Sequence, residues 1–174
     1  IADGSCITGF CLSEVEAGSD VSALQTSARR MGNAGDDFIL NGRKTWISNA
    51  GVADAYVVFA RTGEAPGAKG LSAFVVDAST PGLTVPESIQ VVAPHVIGTV
   101  AFDNCRVRAS QMLGQPGDGF KVAMSTLDVM PLGSVPTVST SLATDWLPAA
   151  SLALMVKAWF PSVSATGTVK VHFP

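Results

Sequence analysis

Charge is what this sequence has least of. Only 14% of its 174 residues are Asp, Glu, Lys or Arg, against about a quarter in an ordinary globular chain. The net charge is −3 and no Lys/Arg cluster occurs. That excludes the basic footprint nucleic acid requires and leaves nothing to mark a membrane surface. Histidine is limited to His95 and His172, neither with a neighbour suited to a triad or a metal. The three cysteines, Cys6, Cys11 and Cys105, have no metal-ligand spacing and form no even set, so a disulfide framework is excluded. Free thiols buried in a reducing compartment are the expectation. The longest apolar stretch, around residues 147–160, is broken by Pro148 and Lys157 and falls short of the roughly 20 residues that span a bilayer. The chain opens on Ile1, without Met or a signal-peptide pattern, so it is expected to begin inside a longer protein.

What the chain does have is apolar residues, 47% of the total, and a mean hydropathy of +0.36. A chain this apolar is expected to hide surface against another domain or subunit. Short runs rich in Val, Ile, Phe and Thr alternate with Gly, Asn, Asp and Pro turns from Cys6 to Val107, which is the texture of a β domain. Strands are expected at Ile7–Leu12, Leu24–Met31, Phe38–Leu40, Lys44–Ser48, Ala55–Ala60, Leu71–Val76, after Pro81-Gly82, and at Thr99–Phe102. Asn33-Ala34-Gly35 reads as a turn, and Asn41-Gly42 as a hairpin turn. Asp118 is a plausible helix N-cap, and Phe120–Val129 has helical spacing. The fold class is therefore mainly β, an antiparallel barrel or sandwich, followed by a short helix and an irregular C-terminal segment. Residues 131–174 hold Pro131, Pro136, Pro148 and Pro161, which forbid a long helix. Ala149–Phe160 and Val163–Phe173 are the only stretches there with a helical or strand-like pattern.

Two segments carry chemistry. Phe10–Asp20 begins as an apolar strand and breaks into a turn of small and acidic residues, where N–H groups and hydroxyls can face a ligand. Lys44–Gly51 follows with an indole and a hydroxyl two residues apart, a spacing that puts both on one strand face. Together they suit a flat, polar, phosphorylated cofactor such as a flavin. Gly117–Gly119 is Gly-x-Gly but follows no Rossmann strand, so it is not a nucleotide fingerprint.

Four motifs in order then resemble one family. Cys11–Ala23, Cys-Leu-Ser-Glu-Val-Glu-Ala-Gly-Ser-Asp-Val-Ser-Ala, resembles the signature of the acyl-CoA dehydrogenases. Lys44–Gly51 resembles their second flavin segment. Gly98–Val107 resembles the strand closing their middle β domain, and Gly114–Asp128 the entry to their C-terminal helical domain. The resemblance covers roughly residues 4–129. It implies a middle β domain over 1–113, the start of a helical domain over 114–130, and a non-matching tail over 131–174. It also implies FAD between barrel and bundle, an acyl-CoA substrate desaturated at Cα–Cβ, electrons leaving through an electron-transferring flavoprotein, and a homo-oligomer. An acyl-CoA oxidase-type enzyme, or a non-catalytic flavin or acyl-CoA-binding remnant, is the alternative. The location it implies is cytoplasmic, or the mitochondrial matrix in a eukaryote.

Site residues follow from the same resemblance. The cofactor-binding set is Phe10, Leu12, Ser13, Gly18, Ser19, Trp46, Ile47 and Ser48. Ser13 would hydrogen-bond near the flavin N5 and O4, where negative charge develops. Gly18 and Ser19 would approach the pyrophosphate and the CoA moiety. Trp46 and Ser48 would flank the flavin, with Ile47 contributing its backbone. Ser19 and Asp128 would meet the substrate. Asp20 reads as an Asx-turn former, and Glu14 and Glu16 as solvated or turn-stabilising groups.

The departures concern catalysis. The family places its catalytic Glu either far down the C-terminal domain or two residues after the position of Asp128. Here that residue is Met130, which cannot accept a proton. An Arg expected three residues after Asp128 is Pro131. No catalytic residue and no metal site is expected, and a shifted reading frame near codons 129–131 is the expected cause of the break. Translating the gene in its other two frames checks this. One frame should give an arginine near position 131 followed by an amphipathic Ala-rich helix; neither doing so removes the idea.

Overall fold

A computed structural model describes residues 5–32, 37–92 and 95–128. Asn33-Ala34-Gly35, Met130, His172 and the 131–174 tail, for which the sequence sets expectations, lie outside these residues. Eight strands form among the described residues: β1 (Thr8–Cys11), β2 (Ser27–Arg30), β3 (Asp37–Ser48), β4 (Ala55–Arg61), β5 (Leu71–Asp77), β6 (Leu83–Ile89), β7 (Ile97–Arg108) and β8 (Met112–Leu113). One helix, α1 (Gly119–Asp128), follows. The sheet order is β6-β7-β3-β2-β4-β5-β8, with β1 also paired to β4.

The mainly β expectation holds, but the sheet is mixed. β1 runs parallel to β4, and Ser27 of β2 pairs in parallel with Arg61 of β4. The reason lies in the order of the strands. β2 turns back antiparallel into β3, and β4 is then added on the far side of β2, which leaves β2 and β4 pointing the same way. β1 and β2 thus occupy successive stretches of one edge of β4. Residues 12–26 leave that line and rejoin it.

β4 explains where the core sits. Its alternate side chains enter two different clusters, so it is buried on both faces and reads as a continuous apolar run. Tyr56, Val58 and Ala60 join Phe38, Leu40, Phe74 and Val100 inside the curled sheet. Val57 and Phe59 face the other way, onto Leu12, Ala17, Val21 and Leu24 of the 12–26 segment and onto Val122 and Ala123 of α1. The segment and the helix together roof that face. At the start of α1, the Asp118 carbonyl accepts from the Val122 amide. Its carboxylate turns back to accept from the Gln115 N–H at 2.9 Å and braces the turn before the helix.

The hairpin expected at Asn41-Gly42 does not form. β3 runs through it as one strand of 12 residues, with a register shift against β7 between Leu40 and Gly42. A bulge gives the same local signal as a turn, because both want a glycine outside the ordinary β region. Gly42 has φ +149, and a Cβ there would stand 2.5 Å from Thr26 Oγ1. The pairing partners on both edges, β2 and β7, hold the strand straight through the dipeptide.

Lys44 is the most unusual core residue, a lysine with 0% exposure. Its ammonium donates to Glu14 Oε1 at 2.9 Å and to the Leu12 carbonyl at 3.1 Å. Burial pulls its pKa down from the usual lysine value to about 8, against the upward pull of Glu14. Burial alone would raise the Glu14 pKa, but the Lys44 ammonium and the hydrogen bonds from Lys44, Thr26 and Gln25 outweigh it and hold the carboxyl below its ordinary value. A carboxyl depressed in the fold stabilises above its unfolded pKa, and that stability is lost as pH falls through the folded value.

Two measurements check these points. Gly42→Ala forces a clash and a strained φ together and should cost about 3 kcal/mol in urea unfolding; a loss no larger than that of a surface alanine would contradict the bulge. Thermal unfolding from neutral pH to below pH 4.5 should show stability falling on the acid side. Glu14→Gln should flatten that acid limb while lowering stability near neutrality.

Candidate cofactor site

The strand line breaks at Leu12, and the break places the site. β1 ends at Cys11. The Ser13 carbonyl then accepts from the Thr45 N–H at 3.0 Å, which fastens the exit of β1 against the second half of β3. Just beyond, β3 bulges again, with a register shift between Lys44 and Ile47. Trp46 lies in that bulge at φ +58. For a bulky residue this is a genuine outlier, and such strain costs about 1–3 kcal/mol. The indole gains no burial in return, being 61% exposed.

The bulge changes one expectation. The two-residue spacing of Trp46 and Ser48 no longer fixes a common face, because regular alternation stops at Trp46. Ile47 is 1% exposed and packs into the inner core, so only its backbone faces the break. The Ser48 hydroxyl hydrogen-bonds His95 Nε2 at 2.9 Å. The histidine expected to be structural or exposed is therefore exposed and in contact with this segment. Close packing holds the end of β3 in place: a Cβ on Gly9 would stand 2.7 Å from the Tyr56 ring and 3.1 Å from the Ser48 carbonyl.

Phe10 and Leu12 point toward the roofed face, where Phe10 meets Phe59 edge-on at 4.9 Å. Ser13 is half-buried, and among the described residues its hydroxyl has no hydrogen-bond partner. Gly18 and Ser19 are exposed at the tip of the 12–26 segment, and a Cβ on Gly18 would meet nothing within 4 Å. Packing therefore gives no reason for glycine there. Asp20 is an Asx-turn former as expected: Oδ1 accepts from the Ser22 N–H at 3.0 Å and the Ser22 hydroxyl at 2.6 Å. Asp128 is exposed at the end of α1. Ser13, Thr45 and Trp46 are thus brought together, while Asp128 belongs to α1.

Sequence reasoning passed over three participants. Glu14, read as a turn group, carries a buried charge. Lys44 is its partner, and Thr45 carries the bond that joins the two segments. The available signal was a lysine at a position of β3 flanked by the apolar and hydroxyl run Thr45–Ser48. No group of metal-ligating side chains occurs among the described residues. A polar cleft of about 940 Å³, lined by Asp37, Asp77, Arg106 and Arg108 among others, involves the opposite end of β3 and contains none of the site residues. An exposed strained indole, an unspent hydroxyl and an open glycine turn are a donor set for a flat polar ligand with a charged extension.

Comparison with known proteins bears on this arrangement. The family model described as acyl-CoA dehydrogenase, middle domain, matches residues 9–105. Short-chain specific acyl-CoA dehydrogenase, mitochondrial, of Rattus norvegicus is 43% identical over 133 residues, covering 75% of this chain and 32% of that protein. The chain thus spans about a third of the length of such relatives. Among solved structures, butyryl-CoA dehydrogenase from Megasphaera elsdenii superposes with a TM-score of 0.67 at 38% identity, covering 71% of this chain and 32% of that one. A structure of the electron transferring flavoprotein of Acidaminococcus fermentans gives the same TM-score at 39% identity, covering 71% and 32%. The signature motifs, the fold similarity and the match over residues 9–105 agree, and the chain belongs to the acyl-CoA dehydrogenase family.

Proposed function

We propose that this chain carries the FAD- and acyl-CoA-binding face of an acyl-CoA dehydrogenase, an enzyme that desaturates acyl thioesters at Cα–Cβ. The observation that supports it best is Trp46, a strained, solvent-exposed indole joined to the Ser13 turn through the Thr45–Ser13 bond. Strain of this kind persists where it serves a ligand. The residues fit the cofactor by their chemistry. Ser13 and Ser48 offer hydroxyls to the polar edge of the ring, Trp46 a flat apolar face, and the Gly18–Ser19 turn an open backbone for the diphosphate. FAD, when bound, supplies the acceptor for the β-hydrogen of the substrate.

The chain's own residues bind, orient and exclude water. They do not supply the base. Met130 stands where part of the family has its glutamate, and no other carboxylate matches the remaining position. We therefore read the chain as a binding portion without turnover, with residues 1–113 as the middle domain, 114–130 as the entry to a helical domain, and 131–174 as sequence foreign to the family. Electron-transferring flavoprotein as redox partner, a homo-oligomer, and a cytoplasmic or mitochondrial-matrix location belong to the same proposal. No helix among the described residues is long and apolar enough to cross a membrane.

Two experiments decide the proposal. Titrating the purified chain with FAD should show weak, saturable binding, and adding acyl-CoA with an electron-accepting dye should give no reduction. A chain that stays yellow on purification and reduces the dye contradicts the loss of catalysis; one that never binds FAD contradicts the cofactor assignment. Trp46→Gly separates ligand from fold. It relieves the positive φ, so the thermal midpoint should hold or rise, while FAD affinity falls about tenfold, or about 1.4 kcal/mol. Lower stability with unchanged affinity would make Trp46 a structural residue only.

A further inference from the structure

We propose that Glu14 and Lys44 form a clasp that keeps residues 12–26 closed over the sheet, and that opening of this segment gates cofactor access to the half-buried Ser13. The gating half rests on the FAD assignment above; the clasp itself rests on geometry alone.

Residues 12–26 form an excursion whose ends are held close together. Cys11 pairs with Val58 and Ser27 with Arg61 on the same edge of β4. Those two partners are three residues apart, about 10 Å along a strand, so a long segment is looped out over a short gap. One carboxylate bridges the two sides of its base. Glu14 Oε2 accepts from the Gln25 N–H at 2.7 Å, and Oε1 accepts from the Thr26 N–H at 2.9 Å and from Lys44 Nζ at 2.9 Å. Both shoulders of the loop are therefore gathered onto one side chain. Arg61 reinforces the far shoulder through the Ser22 and Leu24 carbonyls at 2.8 and 3.0 Å. The tip is held far less: Val15 is 82% exposed, and the tip's backbone pairing is the Glu14–Ala17 bridge.

The balance of charge makes the fastening conditional. Lys44 is buried, and Glu14 is its counter-ion. A buried ion pair that loses one partner leaves an uncompensated charge at high cost, whereas replacing both partners by apolar groups is close to neutral. The cheapest relief for Lys44 is water, and the segment lying over it is the route by which water arrives. The inner core of the curled sheet takes only Cys11 from β1 and nothing from residues 12–26. Opening can then be local, one cooperative unit leaving while the sheet stays.

Hydrogen exchange on the full chain tests this, with Glu14→Gln, the double variant Glu14→Leu/Lys44→Met, and Glu16→Gln as an exposed control. Glu14→Gln should speed exchange across residues 12–26 by at least about tenfold, with β3 and β7 amides unchanged. The double variant removes the buried charge but also the Gln25 and Thr26 bonds, so it should restore protection only in part, and the control should match the unaltered chain. Unchanged exchange in Glu14→Gln overturns the clasp. Uniform loss of protection across the sheet, or failure of Glu14→Gln to fold beside a folded double variant, overturns its local character. FAD titration of the same proteins then reads the gate: Glu14→Gln should change the association rate and the affinity, and an opened segment with unaltered FAD binding overturns that half. If the unaltered chain binds no FAD, the cofactor assignment fails while the exchange result stands on its own.

Discussion

A buried ammonium needs a counter-charge, and Lys44 meets that need with Glu14. Much of the site follows from this requirement. Lys44 belongs to β3 and Glu14 to the segment that leaves β1, so satisfying the charge draws the segment onto the strand. The Leu12 carbonyl shares the ammonium, and the Ser13 carbonyl takes the next amide along β3. Once those bonds form, Gln25 and Thr26 are within reach of the same carboxylate, and the loop closes at its base. A hydrophobic pair could have filled the same space at no loss of stability. An ion pair instead fixes register, because its geometry is satisfied at only one position.

The second constraint is the length of β3. Its twelve residues run beside β7 across two irregularities. The first, at Gly42, uses glycine for a backbone no other residue takes comfortably. The second uses a tryptophan at φ +58, the residue type least suited to it. One bulge serves the fold and the other serves a surface. The two bulges stand apart on the strand, and the polar cleft lined by Asp37 and Arg106 involves the end of β3 away from Trp46.

The family assignment and the catalytic reading separate along the chain. The match to the middle-domain model runs over residues 9–105, and the resemblance in sequence carries on to α1. Beyond it stand Met130 and Pro131. The proposal of binding without turnover rests on those two residues, whereas the family rests on the sheet and its motifs.

Much of the fold was legible in the sequence. Apolar runs between turn residues gave the strands, and helical spacing gave α1, because strand and helix periodicity are local properties. The motifs gave the family and its expected residues. Asn41-Gly42 misled, since a bulge and a hairpin ask for the same dipeptide and only the partners on both edges of β3 decide between them. Trp46 and Ser48 were placed by a regular alternation that the second bulge interrupts. The Glu14–Lys44 pair could not be read at all: two charges 30 residues apart in sequence become neighbours only when β1 and β3 meet. The sequence by itself determined which segments become strands and which chemistry they carry. Tertiary structure alone decided which charges are buried together, and therefore what holds residues 12–26 against the sheet, because burial is a property of the assembled sheet and not of any stretch of chain.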